Sequence, residues 1–359
     1  MTSTALPLPR SAAQAIEAEL DRLRAEIVAD LGAPDAAHIR RMIRLARLSA
    51  LAGRTLLMLG VDPLTWGVGV TALATAKILE NMEIGHNVMH GQYDWMNDPV
   101  LCSQTYEWDN VCDGEQWRHS HNVVHHTHTN ILGRDRDVGY GFLRVSDAQP
   151  WRPHHLFQPA ASVLLALLFE WGVGLHDLEL DEWLRGRRSS AEVGARLKPF
   201  LRKAARQVFK DYVLFPALAL GNAPRVLAGN LAANLVRNLW AYVVIFCGHF
   251  PDGARTFTTE ETREETRGDW YVRQILGSCN IEGGTVLHVL SGHLSHQIEH
   301  HLFPDLPAHR YPEIAPRVRA LCARYGLPYN TGTLWGQFAT VVRRLVRLAL
   351  PVAPRPAFA

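Results

Sequence analysis

The sequence predicts an all-α integral membrane protein with four transmembrane helices in two hairpins beneath a cytoplasmic helical cap. Three observations predict it. Apolar stretches broken by turn residues supply the spans, nine Lys/Arg between Arg185 and Lys210 orient them, and histidines crowd into segments beside the span ends. With 359 residues, 47% hydrophobic and 20% charged, the chain can bury a large core and is neither a disordered polymer nor a disulfide miniprotein. A net charge of +2 excludes nucleic-acid binding through global positive charge. Five cysteines without a CxxC pair suit a reducing compartment.

Residues 1–44 read as a cytoplasmic N-terminal helical segment: Ser11 to Asp30 is charged and Ala-rich, with no apolar signal core before it. Leu45 to Leu79, broken at Asp62-Pro63, reads as the first hairpin, although Arg54 within it needs a partner or a route to the interface. Leu156 to Leu175 is long enough to span. If the basic run and the histidine segments on either side share the cytoplasmic face, however, it must be interfacial or re-entrant. Phe209 to Phe250 then crosses twice, turning at Gly221-Asn222-Ala223-Pro224. Gly67-Val-Gly69-Val-Thr-Ala72 mimics a dinucleotide fingerprint but lies inside a proposed span without a preceding strand, so it reads as helix packing. Residues 45–334 form the main domain, and 335–359 a C-terminal helix and tail. Arg343, Arg344 and Arg347 suit that helix either to a membrane surface or to packing on the cap. The Pro-rich stretch from Pro351 to Pro356 is expected to fray.

Histidine carries the chemistry. Three windows, His86 to His90, His119 to His128 and His293 to His301, hold 11 of the 18 histidines. Side chains four apart share a helix face, so His86 with His90, His121 with His125, and His296 with His300 can each grip one ion. The adjacent pairs His125-His126 and His300-His301 point about 100° apart and suggest two metals, or one metal and a supporting role. HExxH is absent, and a carboxylate di-iron bundle lacks its second ExxH pair, since only Glu83 with His86 fits. A histidine-rich non-haem iron site remains. His249, at the cytoplasmic end of the last span, is an intramembrane ionisable group and joins the candidates. His38, His154, His155, His176 and His309 read as solvated, whereas His119, His128, His288 and His293 stay open. Asp109, Glu115, Asp135 and Asp137 either orient ligand imidazoles or face solvent.

His86-Asn-Val-Met-His90, Trp117-Arg118 leading to His121-Asn122-Val-Val-His125-His126-Thr-His-Thr129-Asn130, and Gln297-Ile-Glu-His300-His301-Leu-Phe-Pro304 resemble the three histidine boxes of the membrane-bound fatty acid desaturases. The acyl-CoA and acyl-lipid (linoleoyl-CoA desaturase-like) branch, with its glutamine-led third box, is the nearest match, and the likeness runs from about Pro63 to Leu334. The resemblance implies four spans under a cap and two non-haem irons, cycling between ferrous and ferric, held by His86, His90, His121, His125, His126, His300 and His301. It places His249 as a further ligand and Gln297 where other branches have histidine, with His293 and His296 beside it as substitutes.

The function expected is an O₂-dependent desaturation of a long-chain acyl-CoA or acyl-lipid at the cytoplasmic face of a bacterial inner membrane. Membrane lipid surrounds such an enzyme, and no nucleic acid takes part. No haem-binding HPGG module is present, so a separate ferredoxin, flavin reductase or cytochrome b5-type donor is implied. The rivals are a di-iron hydroxylase or ketolase of an alkane, sterol or carotenoid, and a histidine-rich metal transporter. A transporter would place its ligands near the bilayer midplane, whereas these clusters follow span ends.

Overall fold

The computed structural model describes residues 8–351, which are mostly helical; the rest of the Pro-rich tail lies outside them. Helix α1 (Arg10–Asp30) turns its apolar face, Ile16, Leu20, Leu23 and Ile27, onto Tyr271, Ile275, Ile298 and Phe303. Helix α2 (Ala33–Leu59) runs unbroken through residue 44 and folds back on α3 (Pro63–Ile78). The turn comes at Asp62-Pro63: the Asp62 carboxylate accepts from the Thr65 N–H at 2.9 Å and Pro63 opens the helix. The two backbones cross closely because residue 53 is glycine, where a Cβ would come within 2.6 Å of the Leu73 nitrogen and 2.9 Å of the Gly69 carbonyl. The apparent dinucleotide fingerprint is part of this helix contact.

Arg54 finds its partner 157 residues away. Its guanidinium reaches Asp211 at 3.0 Å and lies 3.4 Å over the Phe215 ring, while Lys77 binds the same carboxylate at 2.7 Å. Asp211→Ala therefore strands the buried Lys77 and the half-buried Arg54, and we expect a loss of about 3–5 kcal/mol, read as a lower unfolding temperature in detergent.

The Leu156 to Leu175 stretch is two helices, α4 (Gln158–Leu167) and α5 (Phe169–His176), bent by 101° at the break. The break exposes backbone groups, and Asn238 satisfies them. Its Nδ2 donates to the Leu167 carbonyl at 2.9 Å and its Oδ1 accepts from the Glu170 N–H at 3.4 Å. Helix α6 (Ser190–Val208) starts with a capping box, Ser189 against Glu192, and continues as a helical stretch to Leu218. Helix α7 (Ala223–His249) follows a short turn; with that turn it makes a 30-residue helix, Leu220–His249. Among the described residues this is the one unbroken helix long and apolar enough to cross a membrane.

Helix α8 (Arg267–Gly277), the short α9 (Gln297–Leu302) and α10 (Tyr311–Tyr325) complete the core beneath α1. A short parallel pair, Asn280–Glu282 with Thr331–Thr333, ties that layer to helix α11 (Leu334–Leu348). Helix α11 packs one face on its own chain and leaves the other exposed. Val341, Leu345 and Leu348 are buried, Arg347 pairs with Asp147 at 2.8 and 2.9 Å, and Trp335, Val342 and Val346 face outward.

Candidate metal centre

Three short segments converge at the C-terminal end of α7. The first continues α3: Leu79–His86 widens into a π-helical turn, one α-turn (Asn87–Met89) follows, and His90 ends it. The second begins at Asp113, which caps Gly114–Trp117, passes through a second π-helical stretch, Arg118–His125, and ends at His126–His128. The third is α9. A π-helix admits an extra residue per turn and is frequent at functional sites; the first and second histidine segments each contain one, and a third, Phe209–Leu214, lies in the helical stretch after α6.

Two groups of imidazoles result. His86, His90, His121 and His300 bring one nitrogen each within 4.8 Å of one another, and so do His125, His249 and His301. His126 lies between them, its ring centroid 4.7 Å from His90 and 4.5 Å from His301. The outer nitrogens are tied down. His125 Nδ1 donates to Asp135 at 3.0 Å, His301 Nδ1 to the Gln274 carbonyl oxygen at 3.0 Å, His86 Nδ1 to Asn87 Oδ1 at 3.0 Å, and His300 Nδ1 to the Tyr311 hydroxyl at 3.4 Å. The inner nitrogens are not. Nε2 of His90, His121, His125 and His300, both nitrogens of His126 and Nδ1 of His249 are buried without a protein partner. So many buried orphans would be costly unless something accepts their lone pairs, and a cation does.

Burial, reinforced by neighbouring imidazoles, holds His90, His126, His300 and His301 well below the ordinary histidine range and His86 down to about 3. They are neutral at physiological pH, the form that binds metal. Burial pulls His125 the same way, but Asp135 outweighs it and the net direction is upward.

Gln297 belongs to the group: its Nε2 donates to His249 Nε2 at 3.1 Å, and its Oε1 is buried without a partner. A Cβ at residue 248 would come within 2.9 Å of the Gln297 side chain, so Gly248 leaves it room. His296 is placed elsewhere. The spacing argument assumed a helix through both His296 and His300, but α9 begins at Gln297 and His296 precedes it with φ −109° and ψ 57°. Its ring turns to His288, centroids 4.6 Å apart, so its position gives the expected ligand role no support. His293 is also turned away, to Glu83 at 2.9 Å.

Three histidines expected in solvent are engaged instead. His38 meets Glu83 at 2.7 Å and stacks on His309, His309 meets Asp35 at 2.9 Å, and His176 lies 3.4 Å from Asp137. The carboxylates come from segments 45 and 274 residues away for His38 and His309, beyond any local pattern. His155 is buried too, accepting from the Arg152 N–H, while His154 is exposed. Of the four acids left open, Asp135 and Asp137 face the histidines, Asp109 serves Gln207 and Lys210, and Glu115 is exposed. The sequence did not single out Gln274, Tyr311 or Thr129, whose hydroxyl lies 3.3 Å from His301 Nδ1.

The imidazoles open onto a slot between α5, α7 and the first two histidine segments. Counted with its opening to solvent, the space is about 960 Å³. Met82, Phe169, Val173, Ala241 and Ile245 make much of the wall.

Residues 63–333 match the family described as fatty acid desaturase. The chain belongs to that family. Over 340 residues the desaturase is 50% identical to the NADPH-dependent stearoyl-CoA 9-desaturase of Mycobacterium tuberculosis, a match covering 94% of this chain and 80% of the relative. It is 26% identical over 275 residues to the sn-1 linoleoyl-lipid 6-desaturase of Synechocystis sp., 73% of this chain and 74% of that one. With the acyl-lipid (7-3)-desaturase of Rebecca salina it shares 30% over 243 residues, 65% of this chain and 53% of the relative. The desaturase is thus an oxidoreductase of fatty acyl chains, and its histidine clusters suit it to bind metal.

Proposed function

We propose that this desaturase inserts a double bond into a long saturated acyl chain at two irons. His86, His90, His121 and His300 would hold one, His125, His249 and His301 the other, with His126 between them and Gln297 at the edge. The observation that carries the reading is the set of partnerless imidazole nitrogens facing a slot walled in part by Met82, Phe169, Val173, Ala241 and Ile245. Bound iron would supply the oxidising power, with O₂ and external electrons, that no side chain offers against an unactivated C–H bond.

The protein's own residues prepare that chemistry. Asp135, Gln274, Asn87 and Tyr311 fix which imidazole nitrogen faces inward. Trp117, stacked on His121 at 4.4 Å, holds that ring in place. The slot walls align neighbouring methylenes and keep water out. The names of the relatives suggest a CoA thioester and carbons 9 and 10, and an NADPH-fed reductase chain is the corresponding electron source.

The membrane arrangement is also part of the proposal: two hairpins, α2 with α3 and 209–218 with α7, with the re-entrant α4–α5 pair and the centre on the cytoplasmic side of a bacterial inner membrane. The exposed Leu48, Leu51, Leu59, Leu64, Leu218, Leu220, Leu227 and Leu231 support it, since lipid suits them better than water. The basic run on α6 supports the orientation.

Expression in a host whose lipids lack the product, followed by fatty-acid analysis and metal analysis of purified protein, tests the reading. We expect an unsaturated acid with its double bond at carbon 9 and iron in the protein. A hydroxylated product would replace desaturation with hydroxylation, and active protein without iron would end the di-iron assignment.

A further inference from the structure

Three acids line the slot beside His121 and His125: Asp137, Glu170 and Asp177. Glu170 is bound to Arg237, and Asp137 lies 3.8 Å from His121 and His125 and 3.4 Å from His176. Asp177, the residue after α5, is buried and joins no ion pair among the described residues. The fold fixes its carboxyl from two sides. Residue 174, earlier on α5, is glycine, where a Cβ would come within 2.7 Å of the Phe200 ring and 3.5 Å of the Cys112 Cα, so α5 lies against α6 and the loop that carries Cys112. The Cys112 N–H donates to Asn110 Oδ1 at 2.9 Å, and its carbonyl accepts from Trp108 Nε1 at 2.9 Å and Lys203 Nζ at 2.7 Å. So held, its Sγ donates to Asp177 Oδ2 at 2.9 Å, and the Ser120 hydroxyl donates to the same carboxyl. Arg196 binds only the Asp177 carbonyl, at 3.0 Å. Burial pushes the Asp177 carboxyl up to about 6 against the pull of His176, Cys112 and Ser120. Burial and that carboxylate push the Cys112 thiol well up, so it lends its hydrogen without releasing it.

We propose that Asp177 is a general acid of the reaction, handing a proton to oxygen as it is reduced to water, with the Cys112 thiol steadying the carboxylate left behind. The proposal deepens the acyl-desaturase reading and rests on it. Taking two hydrogens from neighbouring methylenes yields two electrons and two protons, whereas turning O₂ into two waters takes four of each. The external carrier supplies the missing electrons, and the missing protons must come from an acid beside the oxygen or from solvent that the slot walls exclude during turnover. Overall, –CH₂–CH₂– with O₂, two electrons and two protons becomes –CH=CH– and two waters. In the step assigned to Asp177 its O–H bond breaks, the electron pair stays on the carboxylate, and an O–H bond of water forms. Solvent restores the proton once the slot has emptied. A carboxyl without a cation to hold it ionised suits this exchange, since both of its forms are reachable near neutral pH.

The test combines pH profiles of kcat and KM with infrared spectra. The charged and titratable groups around Asp177 are His176 on α5, Asp137, Cys112 with Asp113 beside it, and Arg196 and Lys203 on α6. The acid acts from its protonated form, so kcat of the unaltered enzyme falls as the pH rises through about 6. Asp177→Asn keeps the shape and still accepts from Cys112 but has no proton to give: kcat falls about 100-fold or more, that limb of the profile disappears, and KM for the acyl substrate barely moves. Cys112→Ala removes a donor to the ionised carboxyl, so the limb moves to higher pH. The readout independent of turnover is the S–H stretch of Cys112, assigned by its loss in Cys112→Ala. It shifts as Asp177 titrates, with its midpoint at about 6, and is constant with pH in Asp177→Asn. An S–H band that does not move, a limb that persists in Asp177→Asn or stays in place in Cys112→Ala, or a loss confined to KM overturns the acid role. If Asp177→Asn fails to fold, the band and Cys112→Ala decide it. If the unaltered protein forms no double bond, the desaturase reading itself fails; if it does and the limb ignores these changes, only the acid role fails.

Discussion

His300→Ala abolishes turnover. His300 is fully buried, with its ring centroid 4.9 Å from His86 and 4.7 Å from His90, its Nδ1 toward Tyr311 and its Nε2 aimed at no protein group. Removing it opens the four-imidazole group and leaves the His125, His249 and His301 group whole. Metal content should therefore fall by roughly half, and activity should fall to background, beyond the about 10–100-fold that loss of an outer partner costs. The protein should still enter the membrane and elute as the unaltered form does. His296→Ala is the control, since His296 stands apart with His288, and it should turn over normally. Full activity in His300→Ala would mean that the ligands are wrongly assigned.

Asp135→Asn slows turnover by about 10–100-fold although it removes no candidate ligand. The Asp135 carboxylate takes His125 Nδ1 on both oxygens, at 3.0 and 3.1 Å, and also accepts from the backbone N–H groups of Asn130 at 2.7 Å and Asp137 at 2.9 Å. An amide keeps the shape but has one accepting oxygen. Its NH₂ must face a donor, so either the loop between Asn130 and Asp137 loosens or His125 turns over its ring. The charge that raises His125 goes as well. We expect kcat and metal affinity to fall together while KM for the acyl substrate barely moves, because Asp135 does not line the slot. A large rise in KM with unchanged metal affinity would place Asp135 in substrate binding instead.

What the sequence disclosed and what it hid divide by distance along the chain. Of the three i,i+4 pairs only His86 with His90 falls within one of the two groups as read; His121 and His125 share a segment but divide between the groups. The turn at Asp62-Pro63 was readable because its cap lies three residues on. The His296 to His300 pair failed for a local reason, a helix that starts one residue too late. Long-range partners were invisible: Arg54 looked like a defect until Asp211 met it, and His38 and His309 looked solvated until Glu83 and Asp35 did. The ion pair between Glu170 and Arg237 was hidden for the same reason: it joins α7 to the helix that follows the sharp bend after Leu167. Hydropathy found the apolar stretches but gave no sign of that bend.

The widened turns at Leu79–His86 and Arg118–His125 have one more consequence. Each carries a surplus residue relative to an ordinary helix, and each lies immediately ahead of histidines whose bearing on the rest of the centre it sets. Rewound as an ordinary α-helix with no residue lost, either stretch would gain local stability but would swing everything downstream by about 100° about the axis. His90 in the first case, or His126 in the second, would then point out of the centre. The irregular windings persist, on this view, because the more comfortable backbone is the one that cannot assemble the histidines.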